Sequence, residues 1–142
     1  MSIQNRKARY DYTIISTETA GMVLTGSEVK QLRAGKASLV DSYCYFDNGE
    51  LYVKNFNINE SKLAFSHDPK RDKKLLLKKI ELRRLKKELE KNQGYTIIPL
   101  NVHLSPNSIF KMDVGLCQGK KTYDKRETIK KRDAEKDIRN FA

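Results

Sequence analysis

The sequence predicts a small, mostly antiparallel β-barrel capped by helices, and three observations lead there. Short strand-like segments recur along the 142 residues, Asp47-Asn48-Gly49-Glu50 sits between two of them, and one long helical run precedes a last pair of alternating segments. Asn-Gly tolerates positive φ at both central positions of a tight hairpin, so the register of that pair is set locally. Five or six strands this short would expose their edges in an open sheet, and closure removes those edges. The length suits one domain with a single core.

The elements follow in order. Residues 10–15 and 21–25 read as a strand, or a bent strand pair broken at Glu18-Thr19-Ala20-Gly21. Residues 26–35 fit a short helix: Ser27 caps it, Val29 and Leu32 give it an apolar side, and Gly35 ends it in the left-handed region. The hairpin joins residues 40–46 to 51–58. Asp68 and Pro69 then resemble an N-cap and first turn, and charged and apolar residues run on to Gly94. That predicts a helix of about 24 residues, roughly 36 Å, with Leu75, Leu82, Leu85 and Leu89 on one face and Leu76, Leu77 and Ile80 on another. Two alternating segments close the body. Ile98, Leu100, Val102 and Leu104 face one way in the first, and Phe110, Met112, Val114 and Leu116 do so in the second. Pro99 cannot donate to a ladder, so its strand lies at an edge or is bulged there. An oligonucleotide-binding (OB) type barrel, with one short and one long helix, fits this order.

Charge is unevenly placed. Of the net +11, residues 1–9 carry +3, residues 67–92 carry +6 and residues 120–142 carry +4, while the rest sums to −2. Clustered Lys and Arg favour a polyanion, because neutralising phosphates releases counterions, so nucleic acid is the leading partner. Like-charge pairs such as Lys70/Lys74, Lys74/Lys78, Lys79/Arg83 and Lys87/Lys91 repel by a few tenths of a kcal/mol if helical, which an anion alongside would relieve. Residues 120–142 hold nine Lys or Arg but only Tyr123, Ile129, Ile138 and Phe141 as large apolar side chains. Ala134, Ile138 and Phe141 form one stripe and Ile129 falls opposite. Such a tail is expected to be disordered when free and to order inside a phosphate-rich partner, with Tyr123 able to stack on a base.

Other chemistry finds little footing. The longest apolar run, residues 43–46, is far below the roughly 20 residues of a membrane span. The basic N-terminus lacks the apolar stretch of a secretory signal, so a cytoplasmic protein is expected. Cys44 and Cys117 read as reduced thiols, and with His67 and His103 they do not make a zinc ligand set. The glycines are single, with no phosphate-cradling loop, and neither a nucleophilic triad nor an acidic metal cluster is legible. No cofactor, metal or enzymatic activity is expected.

Four stretches in order, NRKARYDY, GSEVKQLRAGKASLVDSY, HDPKRDKKLLL and GKKTYDKRETIKKRDAEKDI, resemble the bacterial SsrA-binding protein (small protein B, SmpB) family over essentially the whole chain. The resemblance implies an OB-type barrel over residues 1–119 that binds the tRNA-like domain of transfer-messenger RNA (tmRNA). It implies delivery of that RNA, with elongation factor Tu, to ribosomes stalled without a stop codon, and a C-terminal tail, residues 120–142, helical in the vacant mRNA path of the small subunit. A monomer with no membrane partner is expected. By position the tmRNA-facing residues are Asn5, Arg6, Lys7, Glu28, Lys30, Arg33, Lys36, Asp68, Pro69, Arg71, Lys74 and Leu76. Those meeting the decoding region are Lys120, Lys121, Tyr123, Asp124, Lys125, Arg126, Ile129, Lys130, Lys131 and Arg132. Thr19, where the family is often acidic, Asp72 within the basic run, and Lys78 after the leucines depart from the pattern. The alternative is a general RNA-binding OB protein associated with the ribosome.

Overall fold

The structure is a computed structural model that describes residues 2–60 and 67–119. In chain order its elements are β1 (Ser2–Gln4), α1 (Arg6–Asp11), β2 (Tyr12–Met22), α2 (Gly26–Arg33), β3 (Ala37–Ser38), β4 (Tyr43–Asp47), β5 (Glu50–Lys54), β6 (Asn57–Ile58), β7 (Lys73–Leu76), α3 (Lys79–Lys91), β8 (Tyr95–Leu104) and β9 (Phe110–Gly119). The sheet runs β8-β4-β5-β7-β2-β9, and β9 pairs back onto β8. It is therefore a closed barrel, as the strand pattern predicts, with β1 added to the free half of β8.

The hairpin forms as expected, with Asn48 and Gly49 at φ 54° and 77° between β4 and β5. The short helix is also in place, but its cap is Thr25 rather than Ser27. The Thr25 hydroxyl accepts from the Glu28 N–H at 3.3 Å while the Glu28 carboxylate accepts from the Thr25 N–H at 2.8 Å, a reciprocal capping box. Gly35, at φ 74°, follows the end of the helix. The expected break at residues 18–21 is absent. β2 runs through it, and its irregularity falls earlier, between Ile14 and Ser16.

The largest correction concerns the long helix. Asp68 and Pro69 do not start one: Asp68 caps a turn, its carboxylate accepting from the Lys70 N–H at 3.0 Å. Residues 73–76 form a strand between β5 and β2, and the helix begins only at Lys79. It is 13 residues long, about 20 Å. Without β7 the barrel would have a gap, and ladder hydrogen bonds on two sides outweigh the helix preference of Lys and Leu. Strand alternation then buries Lys73 and Leu75 and exposes Leu76. Of the like-charge pairs, Lys79/Arg83 and Lys87/Lys91 lie within the helix; the two involving Lys74 do not.

The barrel interior is built from Ala20, Leu51, Val53, Leu75, Ile97, Val102, Phe110, Met112, Val114 and Leu116, with Leu85 of α3 closing over it. Of the two settings expected for Pro99, an edge or a bulge, the structure shows the bulge: Pro99 pairs with Val114 while Asn101 pairs with Asp113, leaving Leu100 as the extra residue. The bulge breaks the expected single face. Ile98 and Leu100 turn outward into a second cluster with Ala8 and Cys117 beneath α1, Val102 returns to the interior, and Leu104 is exposed. Gly115 leaves room there, since a Cβ on it would lie 2.8 Å from Leu100 Cδ1 and one of the two would have to shift. Both cysteines are buried and free, and burial pushes the Cys117 thiol up to about 11.

Candidate nucleic-acid interface

Two blocks far apart in sequence meet at one junction. Arg71 Nε and Nη2 donate to the two oxygens of Glu28 at 3.0 and 2.6 Å, across 43 residues of chain. Glu28 is fully buried at the first turn of α2, where the capping box already holds its carboxylate. Arg71 Nη2 also donates to the Val23 carbonyl and Nη1 to that of Asp72, so four of its N–H groups are committed within the protein. Burial by itself raises Glu28, but the Arg71 hydrogen bonds, the Thr25 N–H and the nearby cations outweigh it and hold the carboxyl below its usual value. This is a two-toothed pair of the geometry arginine favours.

Lys73 sits behind this pair. Its side chain is buried, its Nζ donates to the Phe56 and Arg71 carbonyls at 2.6 and 2.7 Å, and it lies 5.2 Å from the centre of the Phe56 ring. Burial pushes the ammonium down to about 8 against the pull of Glu28. Sequence reading missed this residue, because a lysine inside a basic run gives no sign that it points inward. A third tie comes from His67. Its Nε2 lies 2.8 Å from the Ile58 carbonyl, which only accepts, so Nε2 carries the proton; in the neutral ring Nδ1, 2.8 Å away, accepts from the Ser27 hydroxyl. The Asn59 N–H reaches the Lys36 carbonyl at 2.9 Å and completes the seam.

Around this seam the remaining expected residues divide. Lys30, Arg33 and Lys36 are exposed on and just after α2, and Asp68 and Leu76 are exposed as well. Lys74 is half-exposed with a loose partner, Glu50, at 3.6 Å, and Pro69 lends its carbonyl to the Ile58 N–H. Asn5 is buried: its amide donates to the Pro99 and Leu39 carbonyls and its oxygen accepts from the Ala8 N–H, capping α1. Arg6 and Lys7 project from that helix, Lys7 making an exposed pair with Asp41 at 3.7 Å. On α3, Lys79, Arg83, Lys86, Lys87 and Lys91 are exposed beside Leu76 and Ile80. The ten tail residues from Lys120 to Arg132, and the expected disorder of the tail, lie outside the described residues.

The three departures have local partners. The Thr19 hydroxyl donates to Asp113 at 2.8 Å, and His103 approaches the same oxygen at 3.2 Å. Asp72 accepts from the Tyr45 hydroxyl at 2.5 Å, and that bond is the main reason the phenol is pushed up to about 12. Lys78 precedes α3, where its N–H donates to the Glu81 carboxylate at 2.9 Å. Among the described residues no group of three or more His, Cys, Asp or Glu could hold a metal ion, and no helix is long and apolar enough to cross a membrane.

A closed, basic OB-type barrel with exposed cations gathered on one short helix, one turn and one longer helix belongs to the class of small RNA-binding proteins. The family described as SmpB protein matches residues 2–142, and the chain belongs to that family. It is similar to the SsrA-binding protein of Phocaeicola vulgatus, at 48% identity over 97% of this chain and 93% of that one. It is also similar to that of Gloeobacter violaceus, at 47% over 96% and 90%. A solved chain from work described as "tmRNA-SmpB: a journey to the center of the bacterial ribosome" superposes with a TM-score of 0.73, at 43% identity and 94% coverage of both chains.

Proposed function

We propose that this protein binds tmRNA and acts with it in trans-translation, on ribosomes stalled without a stop codon. The observation that carries the reading is the Glu28–Arg71 junction. It clamps the two blocks that bear the family resemblance into one surface and leaves Lys30, Arg33, Lys36 and Lys74 outside the clamp for phosphate. The body, residues 1–119, holds the tRNA-like domain through that surface, and Leu76 offers an apolar contact within it. The tail, residues 120–142, goes to the small-subunit decoding region and mRNA channel. The protein works as a cytoplasmic monomer with elongation factor Tu in the delivery complex, and as an RNA ligand rather than an enzyme.

Competition between tmRNA and bulk tRNA tests the first half, with selective retention of tmRNA expected. Equal retention would favour a general RNA-binding protein. Deleting residues 120–142 tests the second: tmRNA affinity should persist while tagging on stalled ribosomes is lost. A truncated protein that no longer binds tmRNA would overturn this division of labour.

A further inference from the structure

A cavity of about 340 Å³ opens between α1 and the turn that leads into β4; neither Glu28 nor Arg71 lines it, whereas Asn5 and Lys7 of the expected tmRNA-facing set do. Its lining includes the apolar Ala8 and Ile98, Tyr12 and Tyr43, and the polar Lys7, Asp11, Asp41 and Thr96. That volume accommodates one heterocycle but not a folded segment. Two carboxylates against one ammonium make the lining net negative, which turns away a phosphate and attracts a neutral group rich in N–H donors.

Asp41 is the distinctive part of the cavity. It has a φ of 60°, in the left-handed region that a non-glycine residue occupies at a cost, and its carbonyl is held there by Asn55 Nδ2 at 3.2 Å. Among the described residues its carboxylate pairs with Lys7, at 3.7 Å, with both side chains largely in solvent. A pair of that kind contributes little and exchanges readily.

We infer that this cavity takes a single unstacked guanine from an RNA strand. Among the four bases guanine alone presents two adjacent donors, N1–H and N2–H, on its pairing edge, which one carboxylate can accept together; adenine and cytosine set an acceptor beside their amine. In this arrangement Asp41 exchanges Lys7 for the guanine edge, the base packs against Tyr43, and the released Lys7 meets the adjoining phosphate. The site rests on the RNA-binding reading above, yet its own test does not depend on tmRNA.

The experiment titrates the full chain with labelled pentanucleotides UUGUU, UUIUU and UUAUU, where inosine lacks the N2 amine, and follows amide shifts at Ser42 and Thr96. UUGUU should bind about tenfold more tightly than UUAUU, with UUIUU between them. Asp41→Asn should abolish that preference, and asparagine tolerates the left-handed backbone, so the fold is kept. The same variant assayed against tmRNA and against small subunits identifies which RNA supplies the base, by which affinity falls. Equal binding of the three oligonucleotides by the unaltered protein, or a guanine preference that survives Asp41→Asn, would overturn the site. Failure of tmRNA selectivity alone would overturn only the function proposed above.

Discussion

The Glu28–Arg71–Lys73 junction and the outer face of α3 are both basic, yet they use their charge in opposite ways. At the junction nearly every donor is consumed: Arg71 serves Glu28, Val23 and Asp72, and Lys73 serves Phe56 and Arg71. On α3, Arg84 meets Glu18 at 3.1 Å, but Lys79, Lys86, Lys87 and Lys91 stand in solvent. Cations of the first kind fix shape, and those of the second kind remain available to bind phosphate. Proximity in sequence hides this, since both belong to one basic run.

Substitutions at the junction should break that contrast most forcefully. Arg71→Ala leaves Glu28 buried without its partner and should cost about 3 kcal/mol in denaturant unfolding; a decrease below about 1 kcal/mol would show that the clamp is dispensable. Arg71 is therefore a poor probe of RNA contact, because its removal disturbs the surface itself.

Lys73 should show in the pH dependence of stability. Its pKa is about 8 in the folded state and 10.5 ordinarily. Between those values the unfolded chain holds more protons, so stability should rise with pH across that window, by up to about 3 kcal/mol. Lys73→Arg, which keeps its proton, should flatten the limb, and a flat limb in the unaltered protein would contradict the burial. Glu28 acts at the other end. Its folded pKa is depressed, so the stability it supplies is present above the ordinary carboxylate pKa of 4.5 and is lost as pH falls through the lower folded value.

Gly115→Ala forces a methyl group against Leu100 and should cost about 1–3 kcal/mol, relieved in part by pairing it with Leu100→Ala. The smallest effect on stability, within about 0.5 kcal/mol, is expected for Lys79, Lys86 and Lys87 changed to Ala. The same variant should shallow the dependence of log K for tmRNA on log salt by about one unit for each phosphate no longer neutralised. An unchanged slope would remove α3 from the interface and leave Lys30, Arg33, Lys36 and Lys74, with Arg6 and Lys7 of α1, as the candidate contacts.

Legibility followed the range of the forces involved. Asn48-Gly49 declared its hairpin because the required φ values are a property of two residues, and Pro99 announced an edge or a bulge because it lacks a donor. The leucines at 75–77 misled for the opposite reason. A short apolar run between lysines suits helix or strand equally, and only the gap between β5 and β2 selects one. The site divides in the same way. Lys30, Arg33 and Lys36, expected from the resemblance, are exposed, while Asn5 and Glu28, expected on the same ground, are buried and occupied by protein partners.

By itself the amino-acid sequence determined the family, the barrel class, the hairpin turn and the excess of cations, all of which depend on residue identity and near neighbours. Only the tertiary structure decided which of those cations face inward, where α3 begins, and that Asp41 and Lys7 share the lip of a cavity. Such outcomes turn on pairings across tens of residues, where burial and hydrogen-bond satisfaction outweigh local preference.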